Sequence, residues 1–355
     1  MRVFVAAWVG STNAGDELVF EALRRKLAAR GARVAVVSVD PDRTREAHGV
    51  EAVPSRNVAA VHAAIRRSDR LVLGGGGLLQ DETSHLNLPY HLWRPWTARR
   101  ARIPFAGVGL GAGRLTSSMG RSLVRRALAG SRGVAVRDGE SAALLTSLGV
   151  RGVVTAADLV LSLEAPAVEP ADRLVVCLRS WPSRGRLLPM SLRWRQDLAE
   201  ERWLDAVAAG LDEAAAATGL DVRFVAFHRG RDDVLHRRVG ERMRQTVSFA
   251  EPEPDALPRE IARGRAVVSM RYHGGILAAM AGRPLVLVGG SAKLGSLAAS
   301  LGRGAVLLGR DAAAIRGVTR HLDAVLPGAT DLPEAVERLR QGERGNDEVL
   351  DRLLA

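Results

Sequence analysis

Short apolar, β-rich runs alternate with longer Ala-, Leu- and Arg-rich stretches along almost the whole 355-residue chain. That alternation leaves few folds open. Strands separated by helical crossovers build parallel sheets covered by helices, the α/β class. In the first half the strands are expected at Arg2–Val9, Ala32–Val39, Leu71–Leu73, Phe105–Val108 and Gly133–Val136. Between the first two, Glu17–Arg30 carries Leu18, Ala22 and Leu27 near helical spacing, and Gly31 stops it. A proline- and acid-rich segment, Glu164–Asp172, interrupts the pattern and reads as a linker. Beyond it strands are expected at Leu174–Leu178, Val222–Phe227, Ala266–Ser269, Leu285–Val288 and Ala305–Leu308. The chain is long for one core and suited to two. The reading is therefore two Rossmann-like domains, residues 1–165 and 173–330, with parallel sheets facing across a cleft, and a helical tail, 331–355, packing back on the first.

Composition narrows the class. With 47% hydrophobic and 25% charged residues the chain is globular. It has no apolar run near the roughly 20 residues that cross a bilayer, and MRVFVAAWVG reads as a first strand rather than a signal peptide. The single cysteine, Cys177, excludes an internal disulfide framework and suits a reducing cytoplasm. There is no Cys/His cluster or H-E-x-x-H, so neither metal nor redox cofactor is expected. Net charge is +12, and arginine fills every basic position except Lys26 and Lys293. Such a charge favours anionic partners. Nucleic acid is not expected among them, with 4% aromatics and no recognised binding motif.

Ligands of open parallel sheets sit beyond the carboxyl ends of the strands, and the unusual residues of this chain cluster there. Strand one runs into Gly10-Ser-Thr-Asn13-Ala-Gly15-Asp16-Glu17, a turn that would either hold an anion on free N–H groups or simply cap a helix. Four glycines, Gly74 to Gly77, follow strand three, for close approach of a ligand or for tight packing. Gly107-Val-Gly109-Leu-Gly111 repeats the theme without a dinucleotide fingerprint. Arg137 stands just past a strand, able to clamp a carboxylate or phosphate, or else to pair with Asp138 at the surface. Arg271-Tyr-His273-Gly-Gly closes another strand, and on an extended segment Arg271 and His273 would share a side. One could hold an anion while the other exchanges a proton near neutral pH. Lys293 arrives at the same rim after the next strand.

Taken as an ordered series, N-x-G-D-E at Asn13–Glu17, GGGG-L-x-Q-D at Gly74–Asp81, G-x-G-x-G at Gly107–Gly111, V-R-D at Val136–Asp138, A-D at Ala157–Asp158, R-x-H at Arg271–His273 and the late Lys293 resemble the polysaccharide pyruvyl transferase family. The resemblance spans about residues 1 to 305. It implies a GT-B-like fold, phosphoenolpyruvate as donor, and as acceptor a sugar of a cell-wall or surface glycan that is lipid-linked or nucleotide-linked. The implied product is a pyruvate ketal. By the same resemblance Arg137, Arg271 and Lys293 bind the donor's phosphate and carboxylate, and His273 is the general acid. Asn13 and Asp16, with Gly76 and Gly77, position donor or acceptor from the opposite lip. Where such enzymes often carry a Tyr-Asp-Pro-like stretch, this chain has Gly-Gly-Ser-Ala before Lys293.

Two segments, His91–Arg102 and Leu187–Trp203, mix tryptophan with arginine. They read as sugar platforms or a peripheral contact with the inner face of the cell membrane, or else as partly buried helices. The rival function on this architecture is a GT-B-type nucleotide-sugar glycosyltransferase, which would want an acidic ribose-binding residue after the R-x-H region. Pro284–Lys293 holds none.

Overall fold

The computed structural model describes residues 1–81, 84, 86–113, 115–179 and 198–355. Two parallel sheets organise them. The first holds β1 (Arg2–Val9), β2 (Arg33–Ser38), β3 (Glu51–Pro54), β4 (Arg70–Leu79), β5 (Phe105–Ala112), β6 (Val134–Val136) and β7 (Val153–Thr155). The second holds β8 (Arg173–Cys177), β9 (Asp221–Val225), β10 (Val247–Ala250), β11 (Ala266–Ser269), β12 (Leu285–Val288) and β13 (Ala305–Leu308). Spatial order is β3-β2-β1-β4-β5-β6-β7 and β10-β9-β8-β11-β12-β13. Strand direction of growth reverses between β1 and β4 in one sheet and between β8 and β11 in the other. Crevices open at such switch points, beyond the carboxyl ends of the strands.

Central strands are covered on both faces, which is why they read as near-continuous apolar runs. Val3, Phe4, Val5 and Ala6 of β1 and Val175, Val176 and Cys177 of β8 are completely buried. The register sets Val5 against Val36 on one side and Val72 on the other. Strands β3, β7 and β10 go beyond the expected set; each is a short edge strand, partly open to solvent and so without an unbroken apolar run.

The glycine runs lie differently from expectation. Gly74–Gly77 belong to β4 and Gly107–Gly111 to β5, rather than following those strands. Gly74 and Gly75 bring β4 against the helix Ala14–Ala28: a Cβ would meet Leu23 Cδ2 at 2.5 Å and Val19 Cγ1 at 2.1 Å. Packing is the reason for that half of the run. Asp81, at the end of the same motif, accepts four hydrogen bonds from Thr116 and Ser117 and so ties the loop after β4 to the one after β5.

Residues 163–172 carry neither helix nor strand on their way to β8. After the second sheet the helices Leu332–Glu343 and Gly345–Leu354 return to the first. Gly345 lies on Ala156 and Val154, and Asn346 accepts from Gly109 N and donates to the Ala157 carbonyl. Lys26 meets Glu343 and Asp347, and Arg30 meets Asp347 and Asp351.

Candidate active site

The helix Ala14–Ala28 starts beneath the end of β1, capped by Asn13, whose Oδ1 accepts from Gly15 N. Asn13 also donates to Asp16 Oδ2 at 2.5 Å, so the two residues of the first lip form one unit. This lip is sewn to the second domain. Ala14 N donates to the Phe227 carbonyl at 2.8 Å, Arg229 N to the Thr12 carbonyl at 3.3 Å, and Thr12 Oγ1 meets His228 Nδ1 at 2.6 Å.

From the second domain, the helix Tyr272–Met280 points its amino end at the same place, with Arg271 as its uncapped N-cap. Here the structure corrects the sequence reading. His273 lies in the first helical turn, not on an extended segment, so Arg271 and His273 reach different partners. Arg271 turns back into its own domain and grips Asp232 with Nε and Nη2. Asp232 is fully buried and also accepts from Phe227 N and His228 N. His273 crosses to the first domain, where Nε2 lies 3.6 Å from Asp158 Oδ2 and Nδ1 faces Gly15. A Cβ at position 15 would sit 2.4 Å from that Nδ1, so only glycine lets the ring in.

Arg137 is no surface residue. It is 8% exposed and donates from Nη1 to the same Asp158 oxygen at 3.2 Å. Asp138 stands 4.0 Å away and serves chiefly to cap the next helix through Ser141 N. The Arg137 guanidinium lies 4.5 Å above the Tyr272 ring of the other domain and passes over Gly111, where any Cβ would come within 2.7 Å of Nε. Gly77 lies under Nη2, and Gly76, at φ 93°, under Asp16 Oδ1. Lys293 Nζ lies 5.8 Å from the centroid of the same Tyr272 ring. Asn13, Asp16, Gly76, Gly77, Arg137, His273 and Lys293 thus gather where the two domains meet, while Arg271 is held back by Asp232.

Electrostatics follow from burial among these groups. Burial alone would raise the Asp158 carboxyl, but His273 and Arg137 outweigh it and hold Asp158 well below the usual carboxylate range. Asp16 ends above its ordinary value, because burial exceeds the pull of His273 and Lys293. Burial, then repulsion from Arg137 and Arg179, pushes the Lys293 ammonium down to about 7. Two buried nitrogens, Arg137 Nε and His273 Nε2, have no hydrogen-bond partner among the described residues. Buried donors are normally satisfied; here Asp158 Oδ2 stands 3.6 Å from His273 Nε2 and Asp138 Oδ2 stands 4.0 Å from Arg137 Nε, just beyond bonding reach.

Over residues 13–291 the sequence matches the polysaccharide pyruvyl transferase family. The chain belongs to that family. No curated protein matches it in sequence. Among solved structures, MnaA of S. aureus, a co-structure with UDP, covers 98% of this chain and 94% of its own at 9% identity and TM-score 0.65. HepE of Anabaena, in complex with UDP-glucose, covers 99% of each chain at 13% and 0.62. The calicheamicin glycosyltransferase CalG4 covers 99% and 98% at 16% and 0.56. At such identities the likeness is one of fold, the GT-B arrangement of two α/β domains.

Asp158, Asp232 and Tyr272 were not singled out for a role in the sequence reading. Asp158 is flagged there only by the A-D pair of the family series, Tyr272 only by lying inside R-x-H, and Asp232 by nothing, since its role exists only once β8 sets the ends of β9 and β11 on either side of it. A fourth such residue is Trp8, an exposed ring in an otherwise buried strand, held edge-on by Tyr90 at 5.8 Å. Of the two Trp/Arg segments, His91–Arg102 falls largely in the helix Asn87–Arg100, with Trp93 partly buried against the core and Trp96 exposed. Leu187–Trp203 lies outside the described residues up to position 197; Trp203 donates to the Arg310 carbonyl. Among the described residues no helix is long and apolar enough to cross a membrane.

Proposed function

We propose that this chain transfers the enolpyruvyl unit of phosphoenolpyruvate to two hydroxyls of a sugar on a cell-wall or surface glycan, releasing phosphate and leaving a cyclic ketal. The observation that carries the reading is the meeting of Arg137, from one domain, with Tyr272, His273 and Lys293, from the other, around Asp158. Phosphoenolpyruvate brings about three negative charges near neutral pH, and holding it takes two or three cations with directional donors. Arg137 Nε and Lys293 are suited to that task, and the uncapped amino end of the helix Tyr272–Met280 adds free N–H groups for a phosphate. Arg271, held by Asp232, contributes a fixed donor rather than a free charge.

His273 supplies a proton to the methylene carbon, which becomes the methyl group and leaves an oxocarbenium-like centre at the adjacent carbon. Asp158, 3.6 Å from Nε2, keeps the imidazole oriented. One sugar hydroxyl adds to that centre and gives its proton to the now neutral imidazole. The carbon–oxygen bond to phosphate then breaks, and the second hydroxyl closes the ring, its proton leaving with the phosphate. Asp16, above its ordinary value through burial, and Asn13 face the acceptor side. The open face of Trp8 offers a stacking surface for a pyranose.

Incubation with phosphoenolpyruvate and candidate glycans, following phosphate release, tests the reading. His273→Ala is expected to bind the donor and release almost no phosphate, while Arg137→Ala loses donor affinity first. No acceptor-dependent phosphate release across a panel of hexose and N-acetylhexosamine glycans would refute it.

A further inference from the structure

Between Asn87 and Arg137 the chain has ten arginines and no acidic residue. Among the described residues, the ion pairs of this stretch are both Arg137's. Seven of its arginines, between positions 99 and 132, are exposed. They lie on two helices packed side by side, Asn87–Arg100 and Ser118–Leu128, and on the turns that end them. Arg99 Nη1 donates to the Arg126 carbonyl, and Leu88 lies on Gly120. The same two helices and their leading turn carry three of the nine large apolar side chains exposed in the described chain, Leu86, Trp96 and Met119. Arg100 stacks on Trp96 at 4.5 Å.

At the foot of this face, remote from the cleft because it adjoins the first residues of β5 and the turn before β6, is an open cavity of about 280 Å³ lined by Arg99, Arg102, Phe105, Ser131 and Arg132 among others. Ser131 Oγ is buried there without a hydrogen-bond partner. Arg102 is held at φ 58°, the one non-glycine residue with positive φ among those described. The turn shows how unusual that is. Arg102 N bonds to the Arg99 carbonyl and Ile103 N to that of Ala98, a pattern that places the first of the two residues in the left-handed region. The identical pair of bonds ends three other helices of this chain, at Gly31, Gly149 and Gly282, each time with glycine in the strained place. Only here does a side chain occupy it, and that side chain enters an arginine-lined cavity.

We propose that this face docks on an anionic phospholipid bilayer, with the Arg99–Arg102–Arg132 cavity taking a headgroup phosphate and Trp96 entering the interface. Arginine matches phosphate with paired donors, and indole beside guanidinium suits the boundary between headgroups and acyl chains. The inference does not depend on the reaction assigned to the cleft.

Co-sedimentation with vesicles of phosphatidylcholine alone, or with phosphatidylglycerol added, tests it without any activity measurement. Binding is expected to the anionic vesicles only, weakening with salt. Each arginine removed lowers partitioning by roughly fivefold, so Arg102→Gly with Arg132→Ala lowers it by at least tenfold. Glycine suits the turn, so Tm stays the same or rises and the loss cannot be put down to unfolding. Trp96→Ala lowers partitioning at high salt as well. Absence of anionic-vesicle binding, or equal binding by the double variant, overturns the proposal. Saturable uptake of inorganic phosphate without vesicle binding, or tighter arginine-dependent binding of duplex DNA, would also overturn it, each assigning the cavity to another anion.

Discussion

Gly15→Ala removes no charged or hydrogen-bonding group, yet it is expected to disable the cleft. Residue 15 is helical, and alanine there is intrinsically favourable by about 1 kcal/mol. Its Cβ, however, would lie 2.4 Å from His273 Nδ1, where ordinary contact begins near 3.4 Å, so the ring must retreat by about 1 Å. The His273–Asp158 separation of 3.6 Å then shifts by a comparable amount. For a protonated ring, a shift of that size changes the pair's energy by about 1 kcal/mol at an effective dielectric constant of 20. Displacing a reacting group by about 1 Å costs far more in rate, on the order of a hundredfold. Acceptor-dependent phosphate release is the assay, with donor affinity by calorimetry and Tm alongside. The expected result is a kcat lowered about a hundredfold, donor affinity within a few-fold, and Tm within about 4 °C. A kcat within twofold of the parent would show that the seat of the ring against Gly15 is irrelevant to turnover. A large fall in Tm would assign Gly15 to folding instead.

Two further predictions rest on titration. Lys293, pushed down to about 7 by burial and neighbouring arginines, is largely neutral at pH 8, where phosphoenolpyruvate is a full trianion. Bound phosphate restores its charge, so donor binding at pH 8 is expected to take up a proton, read from the dependence of calorimetric heat on buffer ionisation and abolished in Lys293→Met. Near Glu17 and Glu21, His48 is raised above 6.5: burial lowers it, and the hydrogen bonds to both carboxylates outweigh that. A raised folded value stabilises fully below the unfolded value of about 6.5 and loses that contribution as pH climbs through the folded one. Chemical denaturation of His48→Ala should therefore differ from the parent most below pH 6 and converge toward alkaline pH.

The β/α alternation was readable because a strand buried on both faces must be apolar throughout, as β1 and β8 are. Three of the four edge strands, β3, β7 and β10, were not, since short strands left partly open to solvent, such as Val153–Thr155, need no unbroken apolar run. Strand ends identified the site because backbone that must admit a ligand or a partner needs glycine, though half of the Gly74–Gly77 run proves to answer to Leu23 and Val19. The partners of the cations were beyond sequence. Arg137 finds Asp158 twenty-one residues on and Arg271 finds Asp232 thirty-nine residues back, pairings fixed only by the order of strands in each sheet. Nor could spacing tell that His273 would be helical and Arg271 extended, which sends the two side chains to opposite lobes.

The tail has a mechanical consequence. Chain passes between the lobes twice, at 163–172 and again before Leu332, and the helix after the second passage holds the start of the first: Arg340 reaches the carbonyls of Leu161 and Leu163. Two adjoining tethers make a spine, and halves joined along a spine can swing like book covers but cannot slide past each other. Asp158 sits five residues from that spine, where any swing is smallest, while the Thr12–His228 stitch must part for the covers to gape. Loading and release can thus proceed at the fore-edge while the proton-handling groups stay nearly in register by the binding.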